Sequence, residues 1–218
     1  MGCFAAFPAM KMAKSFCESQ PDANVLIVCL ELCTLHLQPS ELADNLISAS
    51  VFADGAAGTI INSQKPQAHN SFELTHFATS IAQESEKDMA WTIGDTGFDM
   101  VLSSYVPDII KSNLAQSIKP LLEDYKLTVN DIEHWELHPG GRAILDKVQQ
   151  NFKLADEQLS PSRQVLADYG NMSSATILFV LKDLLSRPAS KKQESVLAMA
   201  FGPGLTIESG LLQKMQVN

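Results

Sequence analysis

The chain has 218 residues, of which 45% are hydrophobic, 7% aromatic and 19% charged, a composition typical of a folded domain rather than of a disordered segment. Its formal charge of −9 argues against nucleic acid and anionic membrane surfaces as main partners. No apolar run approaches the length of about 20 residues that a membrane-spanning helix needs, so no membrane span is predicted. Because the first residues lack the basic charges that open a secretory signal, we expect a cytoplasmic protein.

All four cysteines lie in the first part of the chain, at Cys3, Cys17, Cys29 and Cys33, within apolar segments. No His or Asp accompanies them at metal-ligand spacing, so we predict no metal site and reduced thiols. Cys17, Cys29 and Cys33 are best explained as small buried hydrophobic residues. Cys3 differs because it immediately precedes a strongly apolar helical pattern.

The first part of the chain is predicted to fold as helix, strand, helix and strand. Residues 4–17 form a helix that is apolar on most faces, which indicates burial almost all round. Residues 25–30 form a continuous apolar run, typical of a strand covered on both faces. A helix over 42–50 and a strand over 59–61 follow. The polar segment 64–70 contains Pro66 and is predicted to be a linker or surface loop, which divides the chain into residues 1–63 and 64–218.

The second part alternates between the two periodicities. Strands are predicted over residues 72–82, 97–102, 133–138, 195–201 and 205–211, and helices over 106–125, 141–152 and 175–185. This alternation favours a layered α/β fold. The order of elements at the end loosely repeats the order at the beginning, which suggests an internal duplication with an incomplete first copy.

Three polar residues lie at turn-to-helix corners bordered by small residues: Cys3, His138 and Asn171. A helix N-terminus favours a thiolate, and a nearby His favours it further. An Asn amide beside the His can donate to a developing oxyanion. A His before Pro-Gly-Gly is equally typical of a plain turn, so residue types alone leave the choice open.

Five segments in order resemble the signature segments of type III polyketide synthases, the family of chalcone and stilbene synthases and their bacterial relatives. They are Gly2-Cys3-Phe4-Ala5, Phe52-Ala53-Asp54-Gly55-Ala56-Ala57, His138-Pro139-Gly140-Gly141, Tyr169-Gly170-Asn171-Met172-Ser173-Ser174-Ala175 and Phe201-Gly202-Pro203-Gly204-Leu205. The resemblance implies a thiolase fold of two similar α/β halves, usually in a homodimer. Residues 1–63 would be the end of the first half and 64–218 the whole second half. Roughly the first 40% of a family member would then have no counterpart in this chain.

The resemblance also implies roles for the three corner residues. Cys3 would take an acyl starter from a coenzyme A thioester, and His138 would keep its thiolate ionised. His138 and Asn171 would hold the thioester oxygen of malonyl-CoA as it loses CO2, so that the enolate attacks the acyl-Cys3. No metal or bound organic cofactor is implied.

Residues of the substrate cavity follow from the same resemblance. Phe52 matches a gatekeeping aromatic, Gly202-Pro203-Gly204 a loop that shapes the cyclisation pocket, and Ser173 a cavity residue that could equally be a helix N-cap. Three positions differ from what is usual in the plant enzymes. Trp91 stands in place of a small residue, Met100 in place of an aromatic, and His36 in place of a small hydroxyl residue. A chalcone-type product is therefore not expected. No residue is assigned to the coenzyme A phosphates, and this includes Lys11, Lys14 and Arg142, the last in place of a common proline.

Two alternatives stay open at this point. A ketoacyl-carrier-protein synthase of the initiating kind shares the Cys-His-Asn set, although the segment Ala200-Phe201-Gly202-Pro203-Gly204 argues against it. A non-catalytic thiolase-fold remnant that only dimerises is the other, because the walls of the cavity would be incomplete.

Overall fold

A computed structural model describes residues 1–38, 41, 46, 49–64, 70–82, 88–95, 97–103 and 105–216, with the backbone alone at Trp91 and residues 97–102. Within these residues, the helices whose two ends are described are α1 (Ala6–Ser19), α2 (Val106–Asp124), α3 (Arg142–Phe152), α4 (Ser160–Tyr169) and α5 (Thr176–Ser186). Its strands are β1 (Asn24–Glu31), β2 (Gly55–Asn62), β3 (Ser71–Ile81), β4 (Met89–Gly94), β5 (Gly97–Leu102), β6 (His134–Leu137), β7 (Gln193–Gly202) and β8 (Thr206–Met215). None of the described helices is both long and apolar enough to cross a bilayer.

The described strands form one larger sheet and two separate two-stranded pairs. The larger sheet has the order β3-β8-β7-β6, in which β6 runs parallel to β7 and the other neighbours are antiparallel. The pairs β1–β2 and β4–β5 are both antiparallel. Helices and strands therefore alternate in layers, as the sequence pattern predicts.

Two apolar clusters cover the two faces of the larger sheet. One joins α2, α3 and β6 through Ile110, Leu145 and Trp135, each fully buried. The other places α1 and α5 between the larger sheet and the β1–β2 pair, through residues such as Phe7, Val180 and Ile27. Burying a side chain of this size contributes about 1.5–3 kcal/mol, so these two layers hold the fold together.

The first helix and first strand are less covered than the sequence pattern predicts. Only one side of α1 is buried, and Met12 and Phe16 are 63% and 48% exposed. Leu26, Val28 and Leu30 on the outer face of β1 are each more than 60% exposed. The expectations of a helix buried all round and of a strand covered on both faces were therefore wrong for this chain. The physical reason is that the inward faces pack on α5 and the larger sheet, whereas no described element lies against the outward ones.

Most predicted elements match the structure to within a few residues. Strand β4 and helix α4 were not predicted, because a strand of six residues and a helix that opens at Ser160-Pro161 give weak periodic signals. Most of the predicted helix over 42–50 and of the polar segment 64–70 lies outside the described residues.

The duplication predicted from the order of elements has a counterpart in the structure. Helix α1 is preceded by a short 3₁₀ turn, Gly2–Phe4, and followed by the antiparallel pair β1–β2. Helix α5 is likewise preceded by a 3₁₀ turn, Ser173–Ala175, and followed by the antiparallel pair β7–β8. Gly2 and Ser173 each open their turn with a positive φ, so Cys3 and Ser174 lie at equivalent second positions, each before a central helix.

Candidate active site

The first 3₁₀ turn is fixed by close contacts with the corner between β7 and β8. Gly2 has φ +71°, a conformation that favours glycine, and a Cβ there would lie 2.9 Å from Cδ of Pro203. A Cβ on Gly202 would lie 2.3 Å from Cδ1 of Phe4, so that side chain occupies the space above the glycine. Cys3 stands between these two contacts. The segment Gly202-Pro203-Gly204, predicted to shape the pocket, thus supports the turn that carries the thiol.

Asn171 connects Cys3 to the turn that follows β6. The Sγ of Cys3 lies 3.9 Å from Oδ1 of Asn171, within hydrogen-bond reach for a thiol. The same Oδ1 accepts the backbone N–H of Ser173 at 2.9 Å, while Nδ2 donates to the carbonyl of Gly140 at 3.4 Å. Asn171 is 1% exposed, so its amide is held inside the molecule by these contacts.

The backbone of Asn171 is fixed by the segment that carries Phe52. The amide of Asn171 donates to the carbonyl of Val51 at 2.8 Å, and its carbonyl accepts from the amide of Ala53 at 2.9 Å. Phe52, itself half-buried, forms an isolated parallel bridge with Asn171. The aromatic predicted to guard the cavity therefore lies directly beside the predicted site.

His138 continues the line of β6 into the site. Its amide donates to the carbonyl of Met199 at 2.7 Å, which extends the parallel ladder by one residue, and Pro139 and Gly140 then turn the chain. The ring is close to Gly140, since a Cβ on that glycine would lie 3.8 Å from Nε2. His138 is 1% exposed, and neither ring nitrogen has a hydrogen-bond partner among the described residues.

Burial dominates the electrostatics of the thiol and the imidazole. It raises the pKa of Cys3 to about 11; hydrogen bonds with Ser173 and Asn171 offset part of the rise, and the charge of Glu31 adds to it. It lowers the pKa of His138 to about 3. Both groups are therefore neutral at physiological pH in this arrangement, and a thiolate–imidazolium pair needs further stabilisation, from a bound substrate or from a nearby charge.

Two further contacts were missed by the sequence reasoning. Ser174, next to Ser173, donates both its hydroxyl and its amide to the carboxylate of Glu31 at the end of β1. Gly55 lies against Met172, because a Cβ there would clash with that side chain. The sequence signal for Glu31 is weak: it is the acidic residue that ends the continuous apolar run of β1.

Other predicted pocket residues are less defined. Trp91 and Met100 are register partners in the β4–β5 hairpin, but their side chains lie outside the described residues. His36 ends an exposed 3₁₀ turn after β1. Lys11 contacts Thr79 and Glu208, Lys14 pairs with Glu18, and Arg142 is exposed at the start of α3.

The possible metal ligands are dispersed over the described part of the chain. Within it, no group of three or more His, Cys, Asp or Glu side chains is placed to hold a metal ion. All four cysteines are free thiols.

Comparison with known proteins decides the family. The model of the C-terminal domain of chalcone and stilbene synthases matches residues 73–216, and that of the N-terminal domain matches residues 1–65. The chain belongs to the chalcone and stilbene synthase family. The matches over both parts of the chain favour this family over the alternative, an initiating ketoacyl-carrier-protein synthase.

Individual relatives agree with this assignment. A putative chalcone synthase of Bacillus subtilis is 33% identical over 214 residues, which are 95% of this chain and 59% of the relative. The crystal structure of PKS-I from the brown alga Ectocarpus siliculosus matches with a TM-score of 0.88 and 28% identity, covering 99% of this chain and 59% of that one. The C-terminal type III polyketide synthase domain of Steely1 from Dictyostelium matches with a TM-score of 0.91 and 27% identity, over 99% and 61% of the two chains.

These matches establish a type III polyketide synthase-like, thiolase-type α/β fold. The chain spans about three fifths of the length of the relatives it matches. The division into residues 1–63 and 64–218 stays a prediction.

Proposed function

We propose that this chain carries the reaction centre of a type III polyketide synthase, with Cys3 as nucleophile and His138 and Asn171 as the groups that hold the thioester oxygen. The observation that carries the proposal is the position of Asn171, whose side chain contacts both the sulfur of Cys3 and the turn after His138. Substrates would be an acyl-CoA starter and malonyl-CoA, and the full assembly a homodimer. The chemistry calls for no metal or bound organic cofactor, and a cytoplasmic location stays a prediction.

The loading step uses the thiol and the imidazole. His138 takes the proton of Cys3, the thiolate attacks the thioester carbonyl of the starter, and the carbon–sulfur bond to coenzyme A breaks. Coenzyme A leaves as a thiol with the proton from His138. A thiolate suits this role because it is both a good nucleophile and a good leaving group.

The extension step uses the imidazole and the amide. Malonyl-CoA loses CO2, and the electron pair of the broken bond forms an enolate whose oxygen accepts hydrogen bonds from His138 and Asn171. The enolate carbon attacks the acyl carbonyl on Cys3, a carbon–carbon bond forms, and Cys3 leaves as thiolate. Each donor to such an oxyanion commonly contributes about 2.7–4 kcal/mol.

Acyl transfer to Cys3 tests the loading step on the chain itself. Incubation with a panel of acyl-CoA thioesters, followed by intact-protein and peptide mass spectrometry, should place one acyl group on Cys3. We expect Cys3→Ala to lose the modification and His138→Gln to slow it by about 10²-fold or more. Cys17→Ala is the matched control, since Cys17 lies at the other end of α1, and it should load as the unchanged chain does. Acylation that persists in Cys3→Ala would refute the assignment.

A non-catalytic remnant of the fold is the second candidate, and the exposed apolar residues on the outer faces of α1 and β1 favour it. A chain of this kind would fold with its site residues in place but would not load any acyl group. The same mass-spectrometric experiment therefore separates the two candidates.

A further inference from the structure

The short turn that follows β1 carries a second thiol, which the proposed reaction does not use. This 3₁₀ turn spans Cys33–His36 and begins two residues after Glu31. Cys33 is half-buried, as Cys3 is, whereas Cys29 in β1 is buried. The contacts on both sides of Cys33 place this thiol beside the candidate site.

On one side of Cys33, the end of β1 is joined to the turn before α5. The carboxylate of Glu31 accepts hydrogen bonds from the amide and the hydroxyl of Ser174. Ser174 directly follows Ser173, whose side chain hydrogen-bonds the thiol of Cys3. The strand that leads into the second thiol is therefore attached to a turn that contacts the first one.

On the other side, the turn itself is joined to the segment beside Asn171. Asp54 accepts the amide of Thr34 at 2.8 Å and the hydroxyl of Thr34 at 2.7 Å. The residue before it, Ala53, donates its amide to the carbonyl of Asn171 at 2.9 Å. Asn171 in turn contacts the sulfur of Cys3 at 3.9 Å. Both ends of the second thiol's segment are thus anchored to groups that contact the first thiol.

Electrostatic interaction joins the two sulfurs directly. Burial raises the pKa of Cys33 to about 12, and the charges of Glu31, Cys3 and Asp54 add to the rise. Burial and the charge of the same Glu31 raise the pKa of Cys3 to about 11. Both groups are therefore thiols at neutral pH, so the reduced pair gains no stability from ionisation. A dithiol without a stabilised thiolate forms a more stable disulfide than one that has such a thiolate.

We propose that Cys3 and Cys33 form a reversible disulfide that takes the nucleophile out of use, with a small-molecule disulfide of the glutathione class as oxidant. The Cys3 thiolate attacks one sulfur of the oxidant, whose S–S bond breaks, and the first small thiol leaves with the proton from Cys3. The Cys33 thiolate then attacks the sulfur of Cys3, so that the bond between the two cysteines forms and the second small thiol leaves with the proton from Cys33. The pair loses two electrons and two protons, and the oxidant is reduced to two thiols. The inference rests on the proposed function only in that a cross-linked Cys3 cannot load an acyl group.

Equilibration in glutathione redox buffers tests this pair on the chain itself. After free thiols are blocked with N-ethylmaleimide, non-reducing peptide mass spectrometry should find the Cys3 and Cys33 peptides linked. The linked fraction should rise as the buffer becomes more oxidising and disappear in dithiothreitol. Cys33→Ser should abolish the link and leave glutathione on Cys3. Cys17→Ala is the matched control, since Cys17 is also half-buried but lies at the other end of α1, and it should link as the unchanged chain does.

The rate of linking separates a pair at this site from thiols that meet by unfolding. Glu31→Gln removes a charge that raises the pKa of both thiols, so it should lower both pKa values. A pKa lower by about one unit raises the thiolate fraction about tenfold, and lower nucleophilicity offsets about half of this on a logarithmic scale. The link should therefore form about threefold faster. Glu123→Gln, which removes a carboxylate at the end of α2, should leave the rate unchanged.

Three results would overturn the proposal. One is a Cys3 that stays a free thiol or a glutathione adduct in the most oxidising buffer. Another is a link from Cys3 to Cys29 or Cys17 in place of Cys33. The third is a rate of linking that Glu31→Gln does not increase. Acyl loading is followed in the same samples and should be lost in the linked chain and restored by dithiothreitol. A chain that links Cys3 to Cys33 but loads no acyl group when reduced would refute the proposed function and leave the disulfide standing.

Discussion

At the scale of single residues, the site combines a thiol that resists ionisation with an imidazole that resists protonation. Burial raises the pKa of Cys3 to about 11 and lowers that of His138 to about 3. Both groups are therefore neutral before substrate binds. Catalysis at such a site depends on neighbouring groups that stabilise charge as it develops in the transition state. Asn171 is a neighbouring residue able to do this, as a hydrogen-bond donor.

Replacing Glu136 by Leu should stabilise the chain at neutral pH. Glu136 lies in β6, is fully buried, and its carboxyl oxygens have no hydrogen-bond partner among the described residues. Burial raises the pKa of Glu136 well above its ordinary value. The raised pKa means that the folded chain keeps a proton which the unfolded chain loses above about pH 4.3, so stability falls as pH rises through that value towards the folded pKa. Removing the carboxyl should raise the free energy of unfolding by about 1–3 kcal/mol near neutral pH, with a smaller gain in acid. Urea denaturation at the two pH values measures both.

Glu194→Gln should change the stability of the chain at neutral pH in the opposite direction to Glu136→Leu. Burial opposes ionisation of Glu194, but hydrogen bonds from Ser190 and the contact with His134 outweigh it and lower its pKa to about 2. Its stabilisation is present above the ordinary pKa of a Glu and is lost as pH falls towards about 2, so this variant should destabilise the chain at neutral pH. A gain in stability from Glu194→Gln, or a loss from Glu136→Leu, would contradict this account of the two buried carboxyl groups.

Gly202→Ala should displace the turn that carries Cys3, although Gly202 lies far from Cys3 in the sequence. The added methyl would meet the ring of Phe4 at 2.3 Å, and moving that ring displaces the turn that holds Cys3. We expect a loss of about 1–3 kcal/mol in stability together with slower acylation of Cys3. Gly141→Ala is the control, because a Cβ there meets no described atom within 4 Å and the residue has an extended backbone. Equal effects of the two substitutions would show that the contact with Phe4 is unimportant.

At the scale of elements, the repeated unit of turn, helix and antiparallel strand pair positions the site. Cys3 lies in the turn before α1, and Ser173 lies in the turn before α5. The N-terminal ends of both central helices therefore lie at the candidate site. The two units differ in how well they are covered. Helix α5 is buried along most of its length, whereas α1 and the β1–β2 pair each expose an apolar face.

The exposed face of β1–β2 predicts a binding surface for hydrophobic dyes. Leu26 and Ile60 are cross-strand partners on this face, at 65% and 64% exposure. The double substitution Leu26→Lys with Ile60→Glu should reduce the fluorescence of bound anilinonaphthalene sulfonate while changing stability by no more than about 0.5 kcal/mol. Ile27→Lys, on the buried face of the same strand, should instead unfold or strongly destabilise the chain. Unchanged dye binding in the double variant would show that this face is covered in solution.

At the scale of the whole molecule, the layered fold could be predicted because hydrophobic periodicity and glycine turns are local properties of the sequence. The Cys3, His138 and Asn171 set could be proposed from the family resemblance, since each residue lies in a distinctive segment. The exposure of the outer faces of α1 and β1 could not be predicted. An apolar pattern shows that a face can be buried, but not that another element of this chain packs against it. Glu136 was also missed. A single acidic residue in a strand is normally solvent-exposed, and only the structure shows that this one is fully buried.

The share of the relatives' length that this chain spans also limits the activity expected of the chain alone. It spans about three fifths of its relatives' length, and none of Lys11, Lys14 and Arg142 is assigned to coenzyme A phosphates. We therefore expect the 218-residue chain to show little or no turnover of malonyl-CoA, even where Cys3 accepts an acyl group. Robust turnover by the chain alone would contradict this.

The most direct test is condensation by a chimera that joins this chain to the part of the Bacillus subtilis relative outside the match. With an acyl-CoA and malonyl-CoA, the chimera should release CO2 and form an extended β-keto product, as followed by mass spectrometry. Cys3→Ala should abolish both acyl loading and product, and His138→Gln and Asn171→Ala should each reduce product by about 10²-fold or more. Product formed undiminished in the Cys3→Ala chimera would show that Cys3 is not the nucleophile.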